Sequence, residues 1–600
     1  MNKEALYLMS RYRATGLAAV GAVVALVAAA CGGSSGGSGG GSSGGSTSSS
    51  SSASGFNAAV NSTVNPSTHK GGTITYANSS APDSTDAGNT YYAFNLNFTR
   101  LYATPLTTYK SCPGACGTSI VPALATTLGV ASNGNKTWTY HLKSGVKFED
   151  GSPVTSADVK YAVERTFDRS VLPNGPSYFA SLLAGNAAKY PGPFKDKKGN
   201  LTAITTPNAT TIVFNLKQPF ADFNYVVAFP QTAPVPPNKD TGANYQEHPQ
   251  STGPYKFQSF QLNKQYTLVP NPMWNPAWDP QVKQLASKVV VNLNVNAADI
   301  DNRLLAGDIQ MDQAGSGVQA AARARILSSS SLKASSDDPV NGFMWFYYIN
   351  TKVPPLNNLH CRMAVEFAAN KTNLQTAYGG PYGGDIASTA MPPTVGGYSK
   401  FDFYHALSMP AGDVAAAKQQ LKLCGHPNGF STNIAFRSDR PREVASSQAL
   451  QASLNSVGIK TTLKGYTAAN YFGTFAGVPN YVHSHQLGLM AGGWGPDWPD
   501  MYGWGWALFD GQAIVPAGNA NISELNDAHV NSLFKTLEAS SSQSTRNSIS
   551  AQIDQQVMRD AVMLPAVYSK ALLYRSPSLT NVSVNRYYGM YNYGILGTKG

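Results

Sequence analysis

Charge is scarce in this chain: of its 600 residues, 13% are Asp, Glu, Lys or Arg. The 44 basic residues outnumber the 33 acidic ones, for a net charge of +11. Those positives are scattered, with no Lys/Arg run that could track a phosphate backbone, so a nucleic-acid partner is not expected. Catalytic signatures are missing too. There is no phosphate-loop Gly-Lys, no His-Glu-x-x-His, and no nucleophile-elbow serine outside a Gly/Ser tract. An enzyme is therefore not expected, nor a cofactor or a bound metal. No segment reaches about eighteen unbroken apolar residues, which argues against a membrane-spanning helix. No internal repeat recurs at solenoid spacing.

Cysteine is also sparse, at five residues, and the first is the most informative. Cys31 closes the apolar run from Gly16 to Ala30 and opens a Gly/Ser stretch that runs to Gly55. Lys3, Arg11 and Arg13 supply a basic leader. The apolar run has the length of an export signal and is short for a span. Ala28, Ala29 and Ala30 are the small residues that a signal peptidase needs. The pattern resembles the lipobox of bacterial lipoproteins, with Ala28 where that motif usually has Leu. It implies export, lipidation at Cys31 and anchorage to a membrane. Residues 1–31 are read as signal and lipidation site, and 32–67 as a tether with almost nothing to bury. Four cysteines remain: Cys112, Cys116, Cys361 and Cys424. Three connectivities are possible, and a zinc site is a rival reading. Outside the cell disulfides are commoner, and the tight loop Cys112-Pro-Gly-Ala-Cys116 favours a local pair, leaving Cys361 to join Cys424.

About 545 residues follow the tether, too many for one core, so two or three domains are expected. Aromatics are plentiful, with 31 Tyr, 24 Phe and 8 Trp. Gly71–Ala77 and Trp138–Leu142 alternate apolar and polar residues as half-buried strands do. Thr155 and Asp158 form a capping-box variant, and Val159, Ala162 and Val163 then recur at helical spacing. Thr210–Leu216 reads as a strand, and Gly253–Phe257 pairs with Tyr266–Val269 as a hairpin. Helices are expected at Leu359–Ala369, Gly412–Cys424, Arg442–Val457 and Asn526–Met558. Gly458–Leu463 reads as a strand, and this alternation predicts an α/β lobe.

The stretch Ile120–Arg165 carries a specific resemblance. Pro122-Ala-Leu-Ala125, Trp138-Thr-Tyr-His-Leu-Lys-Ser-Gly-Val-Lys-Phe148, Asp150-Gly-Ser-Pro-Val-Thr155, Ala157-Asp-Val159 and Glu164-Arg165 are similar to the signature of family 5 extracellular solute-binding proteins. These are the peptide- and nickel-type receptors of ABC importers. Thr252-Gly-Pro-Tyr255, Asn271-Pro-Met-Trp274, Arg362-Met-Ala-Val365 and Gly493-Trp-Gly-Pro-Asp497 keep the family's order, so the resemblance runs from about Gly71 to the C-terminus. It implies an α/β fold: a two-lobed, periplasmic-binding-protein-like clamp of type II, cluster C-like, with an extra inserted domain. By analogy lobe I takes 68–110, 205–342 and 565–600, the inserted domain 111–203, and lobe II 343–564. Chain crossings near Phe343 and Leu564 would form the hinge. The resemblance implies a monomer that captures a small solute, most simply a short peptide, and passes it to importer permease subunits. An oligosaccharide or metal-chelate receptor, or a cell-wall enzyme, are the alternatives.

Gly492–Asp500 is the best ligand candidate. Its Gly and Pro residues enforce a loop that displays Trp494, Asp497 and Trp498 together. In peptide-binding relatives an Asp at the position of Asp497 pairs with the peptide's α-ammonium, although an Asp that caps a turn beside core tryptophans would look the same. Oligopeptide receptors often carry Arg at the position of Ala491. Tyr102 and Tyr109 are candidates to line the lobe I side of the cleft, with core or rim positions as the plain reading. Trp504 and Trp506 either extend the cleft or pack the lobe. His483 and His485 alternate on an expected strand and share a face, which is weak support for a metal. Asp150 fits a turn and Arg165 an internal ion pair, so these signature residues belong to architecture.

Overall fold

Thr73–Ala77 is flanked by two parallel partners that the chain supplies more than two hundred residues later. The computed structural model describes residues 54–197 and 200–600, so Cys31 and most of the tether lie outside the described residues. Thr73–Ala77 pairs with Lys288–Asn292 and Met311–Asp312. The hairpin Tyr255–Gln261 and Gln265–Pro270 completes a five-stranded mixed sheet. A four-stranded antiparallel sheet follows the order Val130–Ser132, Thr137–His141, Thr211–Asn215, Ile204–Asn208. Both sheets contribute to one continuous apolar core, and together they form the first lobe. Thr211–Asn215 pairs with Thr137–His141 on one side and with Ile204–Asn208 on the other, which carries this small sheet past the domain break expected at 203.

The second lobe is built on a six-stranded sheet. Its order is Gly384–Ile386, Met563–Lys570, Val340–Ile349, Leu489–Trp494, Ser431–Arg437, Lys460–Tyr466. Val340–Ile349 and Met563–Lys570 lie side by side and antiparallel, and each contains one of the expected chain crossings. Helices Leu359–Ala368, Val414–Leu423, Pro441–Asn455, Ala528–Ala539 and Gln543–Arg559 pack apolar faces around this sheet. The molecule is thus a two-lobed α/β clamp. Among the described residues, no helix is long and apolar enough to cross a membrane.

Local chemistry explains most element boundaries. Helix Ser156–Arg165 starts at the expected capping box, with the Thr155 N–H donating to Asp158 Oδ2 at 2.7 Å. At its last turn Arg165 meets Asp86 and Asp240, each at 2.7 Å, in a fully buried cluster. The long helix expected over Asn526–Met558 is two helices. Ser540, Ser541 and Ser542 interrupt it, because serine hydroxyls compete for backbone groups, and Ser542 caps the second helix. The histidine reading is corrected as well: Pro479–Ser484 is a helix, with Pro at its first position where a missing N–H costs nothing. His483 bonds Glu524 at 2.7 Å, and the His485 ring stacks on Tyr481. They do not share a strand face.

Both expected cysteine pairs are disulfides. Cys112–Cys116 closes a surface loop, and Cys361–Cys424 ties helix Leu359–Ala368 to the end of helix Val414–Leu423. Loop-closure entropy scales with the enclosed length, and the two bridges span 4 and 63 residues. Replacing Cys361 and Cys424 by serine should cost about 4 kcal/mol, against about 2 kcal/mol for Cys112 and Cys116. Urea unfolding of the two double variants measures the difference, and equal losses would contradict it.

Candidate functional site

Leu489–Trp494 runs antiparallel beside Val340–Ile349, placing Trp494 opposite Met344 and Gly493 opposite Trp345. A side chain at Gly493 would bring its Cβ within 2.6 Å of the Phe343 ring, so the strand needs glycine there to pass the aromatic face. Beyond Trp494 the chain leaves the sheet as a loop that two backbone contacts shape. The Asp497 N–H donates to the Gly503 carbonyl at 3.1 Å, and the Gly396 N–H to the Pro499 carbonyl at 3.0 Å. The loop ends at Asp500, which caps helix Met501–Phe509 by accepting from the Tyr502 N–H at 2.9 Å. Gly503 leaves room for the Trp498 indole, which would lie 2.7 Å from a Cβ at that position.

Two side chains of this loop reach the first lobe. Trp498 is 1% exposed and belongs to the first lobe's core, where it packs on Tyr178, Phe220 and Tyr225. Its Nε1–H donates to Asp222 Oδ2 at 2.9 Å. Asp222 in turn pairs with Arg546 at 2.5 Å, and Arg546 holds Asp500 at 2.7 Å. Burial and the neighbouring Asp500 push the Asp222 carboxyl well above its ordinary range.

Asp497 lies beside this seam. Its two carboxylate oxygens accept hydrogen bonds from the Tyr91 and Tyr178 hydroxyls, both from the first lobe. The Tyr587 hydroxyl donates to its backbone carbonyl at 3.0 Å. The residue keeps some solvent exposure, but its carboxyl is set deep, and desolvation lifts its pKa from 3.8 to about 6. The Tyr91 and Tyr178 hydroxyls are pushed upward by their own burial and by the Asp497 charge. The Phe229 ring packs against both tyrosines, at 5.9 and 5.7 Å. Among the described residues no Lys, Arg or His makes a salt bridge to Asp497, and no group of three or more metal-ligating side chains occurs. The arrangement is an anionic group in an aromatic setting, suited to a cation that arrives from outside.

The other candidates divide. Tyr109 is buried against this site: its ring stacks on Tyr587 with centroids 3.5 Å apart, and both line a cavity of about 10 Å³, room for one water. Trp494 is partly buried, and its Nε1–H has no hydrogen-bond partner. Tyr102 is not on the cleft. It is fully buried in the first lobe, donates to the Thr85 carbonyl at 2.8 Å and packs on Phe257. Trp504 is 1% exposed in the second lobe's core and donates to the Ala390 carbonyl at 3.0 Å. Both are drawn inward because a large ring with one satisfied polar group gains most from burial. Tyr91, Tyr178 and Tyr587 escaped sequence reading, since they lie 406, 319 and 90 residues from Asp497 and no spacing rule connects them.

The chain is similar to known proteins over most of its length. The profile of bacterial extracellular solute-binding proteins, family 5, matches residues 119–514. The solved structure of clavulanic acid biosynthesis oligopeptide binding protein 2 is 37% identical, covering 92% of this chain and 99% of that one, with a TM-score of 0.87. The probable D,D-dipeptide-binding periplasmic protein of Escherichia coli K12 is 26% identical over 72% of this chain and 76% of its own length. Di/tripeptide-binding protein 3 of Pseudomonas aeruginosa UCBPP-PA14 is 24% identical over 79% of this chain and 87% of its own. Each of these relatives is named as a binding protein. A two-lobed α/β clamp that meets itself around an unpaired acid, with a profile match across both lobes, identifies the chain as a member of the bacterial extracellular solute-binding proteins, family 5.

Proposed function

We propose that this protein is a lipid-anchored extracellular receptor that captures short peptides between its lobes and delivers them to the permease subunits of an ABC importer. The observation that carries the peptide reading is Asp497: a deep-set carboxyl without a cationic partner, approached by hydroxyls from the opposite lobe. A peptide's α-ammonium is the complementary group. Each carboxylate oxygen keeps a lone-pair direction beyond the tyrosine bond it accepts, so an ammonium can join without displacing either hydroxyl. The half-buried Tyr91 and Tyr178 rings beside Asp497 suit apolar ligand surface. Relatives named for oligopeptides, D,D-dipeptides and di/tripeptides support the same class. Closure about crossings near Phe343 and Leu564 would be a population shift driven by ligand contacts made in one state only. Cys31 would hold the clamp near its importer by the Gly/Ser tether, raising its local concentration there.

Peptide binding, its pH dependence, the stability of the unliganded chain and membrane retention test this reading. A pool of unblocked short peptides should raise the melting temperature of the full chain, and Asp497→Asn should weaken those peptides at least tenfold. Calorimetric affinities equal to wild type would remove Asp497 from the site. Binding should also depend on pH. Asp497 titrates near 6 in the folded chain, so affinity should fall about tenfold per pH unit below that value, as a proton competes with the ammonium. The unliganded protein should follow the opposite trend. A carboxyl raised in the folded state contributes stability at low pH that is lost between about pH 4 and 6, and Asp497→Asn should flatten that part of the stability profile. For the anchor, Cys31→Ser should release the protein from the membrane fraction into the medium, and continued retention would argue against lipidation.

A further inference from the structure

The chain enters the first lobe at a corner where positive charge outweighs negative. Between Cys31 and Asp83 there is no acidic residue, and between Asp312 and Asp337 there are three basic residues, Arg323, Arg325 and Lys333, and no acidic one. These two stretches meet. The Asn57 N–H donates to the Ser336 carbonyl at 3.0 Å, the Asp338 N–H donates to Asn57 Oδ1 at 2.7 Å, and the Lys333 ammonium lies 5.3 Å from the centre of the Phe56 ring. Phe56 also meets Tyr382 of the second lobe, with ring centroids 6.4 Å apart. Residues 32–53 are all that separate this corner from Cys31. A Gly/Ser sequence of that length spans about 25 Å.

Helix Ala320–Ser328 turns its charge outward. Ala322 and Ile326 face the core, so Arg323 and Arg325 flank the opposite side of the helix. Ala321 and Ala324 on that side are exposed and too short to hold a flat surface away from the two guanidinium groups. Arg325 reaches Asn302 Oδ1 at 3.4 Å, and Arg323 lies 3.4 Å from the position a Cβ would take on Gly379, beside the turn that carries Tyr382. Arg442 of the second lobe joins them: burial first, and then the Arg323 charge, hold its guanidinium below the usual arginine range. The acids around the corner are each paired, Asp337 with Arg575, Asp338 and Asp385 with Lys570, and Asp299 with Arg303. What marks the corner is therefore four cations gathered where the segment after Cys31 enters the fold, and no single side chain.

We propose that this corner is a membrane-facing surface that rests on the anionic headgroups of the bilayer holding the anchor. The inference rests on the anchored reading for the nearness of that bilayer. Each Lys or Arg brought to an anionic membrane raises affinity about fivefold, and the half-buried rings of Phe56 and Tyr382 suit the headgroup zone. The corner also adjoins the chain crossings: Asp338 directly precedes strand Val340–Ile349, and Lys570 ends strand Met563–Lys570. The parts of a clamp beside its hinge move least as the lobes close, so contact here leaves capture unhindered.

A chain that starts at residue 31 and carries Cys31→Ser has neither the apolar leader nor an acyl group, so its partitioning reports the protein surface alone. It should sediment with vesicles of equal parts phosphatidylcholine and phosphatidylglycerol, stay in solution with pure phosphatidylcholine, and leave the anionic vesicles in about 0.5 M NaCl. Arg323→Gln, Arg325→Gln and Lys333→Gln together should lower partitioning about a hundredfold. Lys147→Gln, Lys189→Gln and Lys217→Gln, at three exposed lysines around the small four-stranded sheet, should lower it less than about threefold. If the corner triple fails to fold, Arg325→Gln alone, at an exposed position, should still weaken partitioning about fivefold. Equal partitioning into the two vesicle types overturns the proposal. So does a loss in the control triple as large as in the corner triple, which would assign the attraction to net charge. In cells, retention of Cys31→Ser that survives a salt wash counts against the anchored reading alone, whereas release of Cys31→Ser with no binding to anionic vesicles counts against this surface alone.

Discussion

Asp500 holds the loop on which the cleft depends. One of its oxygens caps helix Met501–Phe509, and both engage Arg546 from helix Gln543–Arg559. Arg546 in turn reaches Asp222 of the first lobe, which also receives the Trp498 indole N–H. Two carboxylates thus share one guanidinium inside a buried seam. Such a cluster adds little net stability, but removing one member strands a buried charge. Its value lies in position. With Trp498 and Asp500 fixed just after it and its own N–H held by the Gly503 carbonyl, the main chain at Asp497 has little freedom, and its carboxyl is aimed at the tyrosines of the facing lobe.

Charge is rare in this protein, and where it is buried it is usually matched. Arg165 with Asp86 and Asp240, Arg437 with Glu443, and Arg575 with Asp337 follow that rule. Asp497 breaks it where the lobes meet, and among the described residues the buried Arg100, Arg362 and Asp554 also hydrogen-bond to neutral groups in place of an opposite charge.

The regular elements were legible because their signals are local. The Thr155/Asp158 cap, the alternation of Trp138–Leu142 and the 3.6-residue spacing after Thr155 each operate within about ten residues. The helix over Asn526–Met558 was misread because apolar spacing survives the serine interruption at 540–542, while the cap at Ser542 is a weaker cue. The His483/His485 strand was misread because Pro479 marks a helix start only when the residues after it turn, and alternation over so few residues does not exclude that. At the site, Asp497, Trp494 and Trp498 were visible through their Gly/Pro-rich loop. Tyr91, Tyr178 and Tyr587 were not, since their nearness to Asp497 exists only once both lobes are assembled.

Trp498 is carried by the second lobe's chain yet is one of the rings of the first lobe's core. A residue shared in this way makes the two halves one cooperative unit at the seam. Neither half could be excised without leaving a void in one and a bare indole on the other. It also restricts how the clamp can move: parting the lobes at Trp498 would expose the indole and break its bond to Asp222, whereas a rotation about that ring would keep both. An opening of the seam that leaves the indole seated therefore costs less than one that withdraws it and strands the Asp222 carboxylate.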